Sequence, residues 1–192
     1  MPVLIGAGLY IKSSLLLKSS SIFDLLVSRD WKPLSGKFGF YIFIVSSLWV
    51  TILALIISGP ICLLSAIHLT QYAKRIVLKI MRPVIDILAG IPSVVYGVWG
   101  VIIIVPFISK KIAPLFGKQI SGYSILSGSI VLSVMIIPFI LNILLEVFKS
   151  IPDELKEASL SLGASRWQTI KFVLVKKAFP GIISAMGSSR YF

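Results

Sequence analysis

The chain has 192 residues, of which 57% are hydrophobic and 14% charged, and its mean hydropathy is +0.99. A soluble domain carries about 45–50% apolar and about 25% charged residues, so that class is excluded. Lysine and arginine number 19 against 7 acids, which elsewhere would point to nucleic acid. Here the cations stand in short groups beside apolar runs, as in Lys74, Arg75, Lys79 and Arg82, without the aromatic interleaving that stacks bases. They read as juxtamembrane anchors on a lipid bilayer, and no nucleic-acid partner is expected.

Residues Met1 to Leu17 are apolar but interrupted by Lys12, with no basic lead, so a cleavable signal peptide fits poorly. A short interfacial segment, or the tail of a span whose beginning is missing, fits better. Residues 1–37 are taken as an N-terminal segment and extracytoplasmic loop, with Asp24, Arg29, Asp30, Pro33 and a single Trp31 in its polar part. No charge then occurs between Lys37 and Lys74, from Ile87 to Ser109, or from Gln119 to Leu145. Each run exceeds the roughly 20 residues that cross a bilayer core as helix. At least three spans are predicted.

The first span is placed at 38–69. Its Gly59-Pro60 pair predicts a kink, because proline lacks the backbone donor and crowds the preceding turn. Cys62, the sole cysteine, forms no internal disulfide or thiolate cluster and reads as a small buried side chain. His68, at the span's end, reads as interfacial rather than as a ligand. A cytoplasmic loop is placed at 70–82.

The second span is placed at 83–108, with a break near 90–93. Gly90 favours departure from helix and Pro92 suits the start of a new one. Breaks of this kind are tolerated where they line a cavity, or the glycines simply permit close helix packing; both readings stand. A loop at 109–122 leads to a third span at 123–148. That span opens with Ser124, Gly128, Ser129 and Ser133, small residues that let backbones approach, and Pro138 predicts a second kink. Arg82 and Asp86, four apart, are expected to pair, as are Glu146 and Lys149 near the end of their span. No metal-ligand cluster, cofactor motif or enzyme constellation is found.

Residues 149–180 are too polar to span, yet are patterned for two short helices. Ser150 is expected to cap the first, with Pro152 in its first turn and Glu154 near its positive end. Leu155, Ala158, Ser159 and Leu162 gather one weakly apolar face, and Gly163 supplies the stop. Ser165 and Gln168 are spaced as a capping box that opens the second helix. A short amphipathic helix between spans serves either as a docking knob for a soluble partner or as a segment lying on the bilayer. Residues 181–192 read as the start of a truncated span, so both ends look cut.

Glu157-Ala158-Ser159, followed by Gly163, resembles the EAA loop of permease subunits in binding-protein-dependent ABC importers. The resemblance extends through Ile151 to Ala158, Leu162 to Trp167, Leu88 to Gly100, and the loop from Trp31 to Gly39. The run Ile91-Pro92-Ser93-Val94-Val95-Tyr96-Gly97 is similar to the phosphate-specific branch, the PstC type. After the motif, where that family usually has a proline, this chain has Lys176.

The resemblance implies an all-α membrane protein, an incomplete MetI-like type I ABC importer permease core in a bacterial inner membrane. It also implies four partners: an ABC ATPase, a second homologous permease subunit, an extracytoplasmic phosphate-binding protein, and phosphate itself. The EAA loop would be cytoplasmic and enter the ATPase. Leu155, Glu157, Ala158, Ser159, Leu162 and Gly163 would then couple nucleotide-driven motion to alternating access, and Ser93, Tyr96 and Gly97 would line the pathway. The chain has no G-x-x-x-x-G-K-[ST] loop, so ATP would be bound and hydrolysed by a partner. With the EAA loop inside, ten Lys and Arg fall on the inner side and eight on the other, a weak positive-inside bias. A permease for another solute of this class, or a truncated non-transporting remnant, are the rival readings.

Overall fold

The computed structural model describes residues 4–6, 8–10, 12–13, 22–35, 37–115, 117 and 121–188. The expected segment before residue 22 lies largely outside these, as do residues 189–192. The chain divides into two compact units, residues 1–49 and 50–192.

In the first unit, helix α1 (Ile22–Val27) precedes two short strands, β1 (Trp31–Lys32) and β2 (Lys37–Phe38). They pair antiparallel with Trp31 opposite Phe38 and Lys32 opposite Lys37, joined through a 3-10 turn at Pro33–Ser35. The polar composition of this stretch predicts only a loop. The structure instead gathers aromatic rings on Trp31, with centroids of Phe38, Phe40 and Phe43 at 5.9, 5.8 and 4.9 Å. Edge contacts of this kind contribute beyond the area they bury, so a two-residue ladder persists where backbone propensity alone gives none.

Among the described residues, three helices are long and apolar enough to cross a membrane: Tyr41–Tyr72, Ser93–Leu115 and Ile125–Lys149. The first consists of α2 (Tyr41–Ile67) and a π-helical turn at His68–Tyr72. Pro60 lies inside α2 without interrupting it. In the second unit, Ala54, Ser58, Cys62 and Ala66 recur every fourth residue and are all fully buried. This stripe of small side chains lets α2 approach its neighbours closely, which is how helices gain contact where lipid is as apolar as leucine. Cys62 Sγ donates to the Ile137 carbonyl at 3.5 Å, and a side chain at Gly59 would strike Met186.

The stretch expected as one broken span over 83–108 is two helices with different ends. Helix α3 runs Arg75–Ala89, taking in most of the segment read as a loop. The chain then turns at Gly90 to Pro92, and α4 begins at Ser93 and continues through alternating α and π turns to Leu115. Pro92 is the residue before that helix, with φ −56° and ψ 138°, rather than its first helical position. Lys110 and Lys111 extend the helix past the expected boundary at 108 because nothing before the proline-containing Ala113–Leu115 turn breaks it.

Helix α5 (Ile125–Lys149) is the axis of the second unit. Ser124 caps it in a reciprocal box with Ser127, and Ile136, Ile140, Leu141, Leu144, Leu145 and Phe148 form its buried side. Against it pack α3, through Ile85, and the C-terminal helix α7 (residues 166–188), through Ile170, Leu174, Ala178, Ile182 and Ala185. The expected Arg82–Asp86 pair is not made: Asp86 Oδ1 accepts from Asn142 Nδ2 on α5 at 2.8 Å. Among the described residues the ion pair within 4 Å is Lys37–Asp30 at 3.7 Å, so Glu146 and Lys149 form no ion pair at that distance either. A carboxylate bonded to an amide across two helices needs no ion pair beside it.

Candidate functional site

Helix α6 (Asp153–Ser161) leaves the end of α5 and leads, through an elbow, into α7. The connection is a tight hairpin. Ser150, expected to cap α6, instead closes α5: its N–H donates to the Glu146 carbonyl and its hydroxyl to Val147. Helix α5 runs through Lys149, so Ser150 belongs to its last turn. Pro152 then fixes the backbone before Asp153 with no side-chain cap, and Asp153 and Glu154 occupy the first turn, where negative charge meets the positive helix end.

The far end of α6 is a Schellman motif. Gly163 has φ +81°, its N–H bonds the Leu160 carbonyl at 3.0 Å, and the Ala164 N–H reaches the Ser159 carbonyl at 3.3 Å. This geometry asks for a residue free of the left-handed penalty. The predicted capping box opens α7: the Gln168 N–H donates to Ser165 Oγ at 3.3 Å, and the Ser165 N–H donates to Gln168 Oε1 at 2.8 Å. A hydroxyl pair, Ser159 with Thr169 at 3.0 Å, ties α6 to α7. Thr169 is buried and escaped the sequence reading, although a threonine one residue past a capping box is the kind of position that bonds backward into the hairpin.

The apolar face expected on α6 divides in two. Ser159 turns toward α7, whereas Leu155, Ala158 and Leu162 are exposed, Leu162 at 90%. Glu157 is also exposed. The result is a short stripe of apolar side chains, flanked by Glu154 and Glu157, on a helix closed at its far end by the Schellman motif. Large apolar side chains left out on a rigid, capped element are a feature of contact surfaces.

The break between α3 and α4 forms a second locus. Ser93 and Gly97 line an open groove of about 410 Å³ between α4 and α5, together with Gly100, Ser127 and Gly128. Gly100 is buried at its floor, where a Cβ would meet Val131 on α5. Tyr96 is not brought to this groove. Its hydroxyl reaches back across the break and donates to the Leu88 carbonyl at 2.9 Å, satisfying the end of α3 and holding the bend. Among the described residues no group of three or more His, Cys, Asp or Glu could hold a metal ion.

The profile of the family described as "Binding-protein-dependent transport system inner membrane component" matches residues 58–189. The chain is 43% identical over 183 residues to a Bacillus subtilis protein named "Probable ABC transporter permease protein YqgH", covering 93% of this chain and 58% of that one. It is 34% identical to the "Probable phosphate transport system permease protein PstC" of Methanocaldococcus jannaschii and 33% identical to the "Phosphate transport system permease protein PstC" of Pasteurella multocida. Each of these matches covers 85% of this chain and 56% of the relative. The chain thus spans a little over half the length of these curated relatives. With three membrane-crossing helices among the described residues and a hairpin after the third, the chain belongs to the binding-protein-dependent transport system inner membrane component family and has its MetI-like, multi-pass helical fold.

Proposed function

We propose that this chain supplies a membrane-spanning part of an ATP-driven importer, and that the α6 hairpin passes the motion of a partner ATPase to the spans. The exposed Leu155–Ala158–Leu162 stripe carries this reading. It is apolar, yet it sits on a helix closed by a Schellman motif and tied by the Ser159–Thr169 bond to the capped start of α7, so a force applied there is transmitted to α5 and α7 rather than absorbed. Leu155, Ala158 and Leu162 enter the ATPase groove, Glu157 meets its basic rim, and Ser159 and Gly163 keep the helix in place. On this reading the hairpin faces the cytoplasm of a bacterial cell, bounded by its inner membrane.

The solute is phosphate on the likeness to the PstC proteins, delivered from outside by a binding protein and passed between this subunit and a homologous one. Ser93 and Gly97 would line its route, with Tyr96 setting the bend above them. Broken helices aim free backbone N–H groups at anions in other transporters. A different solute remains a second reading, favoured by one observation: the 43% identical relative carries no solute in its name. Two experiments test these claims. Co-purification from membranes with the cognate ATPase should survive in the wild type and fail after joint Leu155→Ser and Leu162→Ser substitution; equal recovery would overturn the coupling role. Uptake into vesicles holding the assembled importer should be competed by unlabelled phosphate and not by sulfate; the reverse would overturn the assignment of solute.

A further inference from the structure

The charged residues of α3 fall on one side of it. Arg75, Lys79, Arg82 and Asp86 follow one another by four, three and four positions, the spacing that keeps side chains on a single helix face, and all are exposed. Ile76, Ile80 and Ile87, also exposed, make a separate apolar stripe beside them. Helix α5 carries a matching set. Asn142, Glu146 and Lys149 are again spaced by four and three, with the two charged residues exposed and Asn142 half-buried. The bond between Asp86 Oδ1 and Asn142 Nδ2 sets the two polar faces side by side.

Depth decides what these faces meet. Asn142 stands two helical turns before Lys149, the end of a membrane-crossing helix, or about 10 Å inward at 1.5 Å per residue. Lysine and arginine near a helix end extend their heads to the interface, but the short Asp86 side chain, held by Asn142, does not reach it. Among the described residues none of these charged groups has an ion-pair partner within 4 Å. Asn142 satisfies one oxygen of Asp86, and the charge still exposed at this depth is costly in lipid, so such groups face water or protein. A row of exposed cations running from the end of the helix to that depth admits water along it. The row also continues the groove beside α4: Gly128, Val131 and Met135 line the groove from α5, and Asn142, Glu146 and Lys149 extend the same face toward the α6 hairpin.

We propose that the polar stripes of α3 and α5 line a water-filled arm of the solute route, running from the Ser93–Gly97 groove to the α6 side of the membrane, and that the solute it suits is a small anion. The proposal rests on the reading of that groove as part of the route. Arg75, Lys79, Arg82 and Lys149 against Asp86 and Glu146 leave the arm positive, which raises the local concentration of anions. Because these cations are exposed and hydrated, they attract an anion without trapping it, as passage requires.

The test places single cysteines in the full chain with its native partners, in lipid nanodiscs, and measures their modification by an anionic and a cationic methanethiosulfonate; the fully buried Cys62 should stay silent. Only the thiolate reacts, and lipid suppresses its formation, so Asn142→Cys and Glu146→Cys should react about a hundredfold faster than Ile80→Cys and Ile87→Cys. Relative to free cysteine, Asn142→Cys should favour the anionic reagent about threefold at about 0.15 M salt, from a net two charges about 10 Å away, and more at lower salt. Slow reaction at Asn142→Cys and Glu146→Cys would mean a dry face and overturn the proposal, as would equally fast reaction at all four positions. Preference for the cationic reagent, or none, would remove the anion. Glu146→Cys leaves the Asp86–Asn142 bond in place, so slow modification there refutes the arm even where Asn142→Cys fails to accumulate. A wet, anion-favouring arm with uptake competed by sulfate and not by phosphate would overturn the assignment of solute alone; phosphate-competed uptake with a dry Glu146→Cys would overturn this proposal alone.

Discussion

Substitution of Gly163 by alanine isolates the backbone of the elbow from its packing. A Cβ at this position meets nothing within 4 Å, so no clash contributes, and the whole effect comes from the φ of +81°. Holding an L-residue in the left-handed region costs about 1–2 kcal/mol, and alanine recovers roughly 0.4–1 kcal/mol by restricting the opened chain. The balance is about 1 kcal/mol against the closed elbow, or roughly a fivefold rise in its open fraction. The readout is hydrogen exchange at residues 163 and 164, whose N–H groups bond Leu160 and Ser159, with Leu144 in the buried α5 core as a control for global unfolding. Asparagine, which tolerates the left-handed region, should raise exchange less than alanine does. Unchanged exchange in the alanine variant, or asparagine as disruptive as alanine, would refute the assignment of the elbow's geometry to the glycine.

Two further substitutions test the α3–α4–α5 assembly. Gly100→Ala drives a methyl into Val131 and should destabilise by about 1–3 kcal/mol, read as a lower thermal midpoint in detergent; Val131→Ala in the same chain should restore most of the loss, since contacting sites are not additive. Tyr96→Phe removes the bond to the Leu88 carbonyl, worth about 0.5–1.5 kcal/mol, and should broaden the distance distribution between spin labels at Ile87 and Val94 on either side of the break.

Much of this architecture is legible in residue order because lipid enforces it. Uncharged runs locate helices, and the box at Ser165 and Gln168 and the stop at Gly163 are local signals that need no tertiary information. Ser150 shows where local reading fails. Its spacing to Asp153 suits a cap, but whether α5 ends before or after it depends on how far that helix packs, and α5 carries on to Lys149. Asp86 fails for a related reason: Arg82 is near in sequence, but Asn142, 56 residues away, is the partner that the fold delivers. The β1–β2 ladder depends on rings brought to Trp31 from residues 38 to 43, which composition cannot arrange. In the candidate site, the face of α6 was found but its division was not. Which of Leu155, Ala158, Ser159 and Leu162 turn inward is set by the buried Thr169 on the opposite arm.

The proposed docking of α6 on an ATPase is tested most directly with a thiol at its tip. The native Cys62 is fully buried and should stay silent to maleimide, so a Leu162→Cys variant should carry a single reactive site at the 90% exposed position. Addition of the cognate ATPase should slow its modification at least tenfold, while addition of lipid alone leaves the rate unchanged. Modification at the same rate with and without the ATPase, or protection by lipid in its absence, would contradict the account.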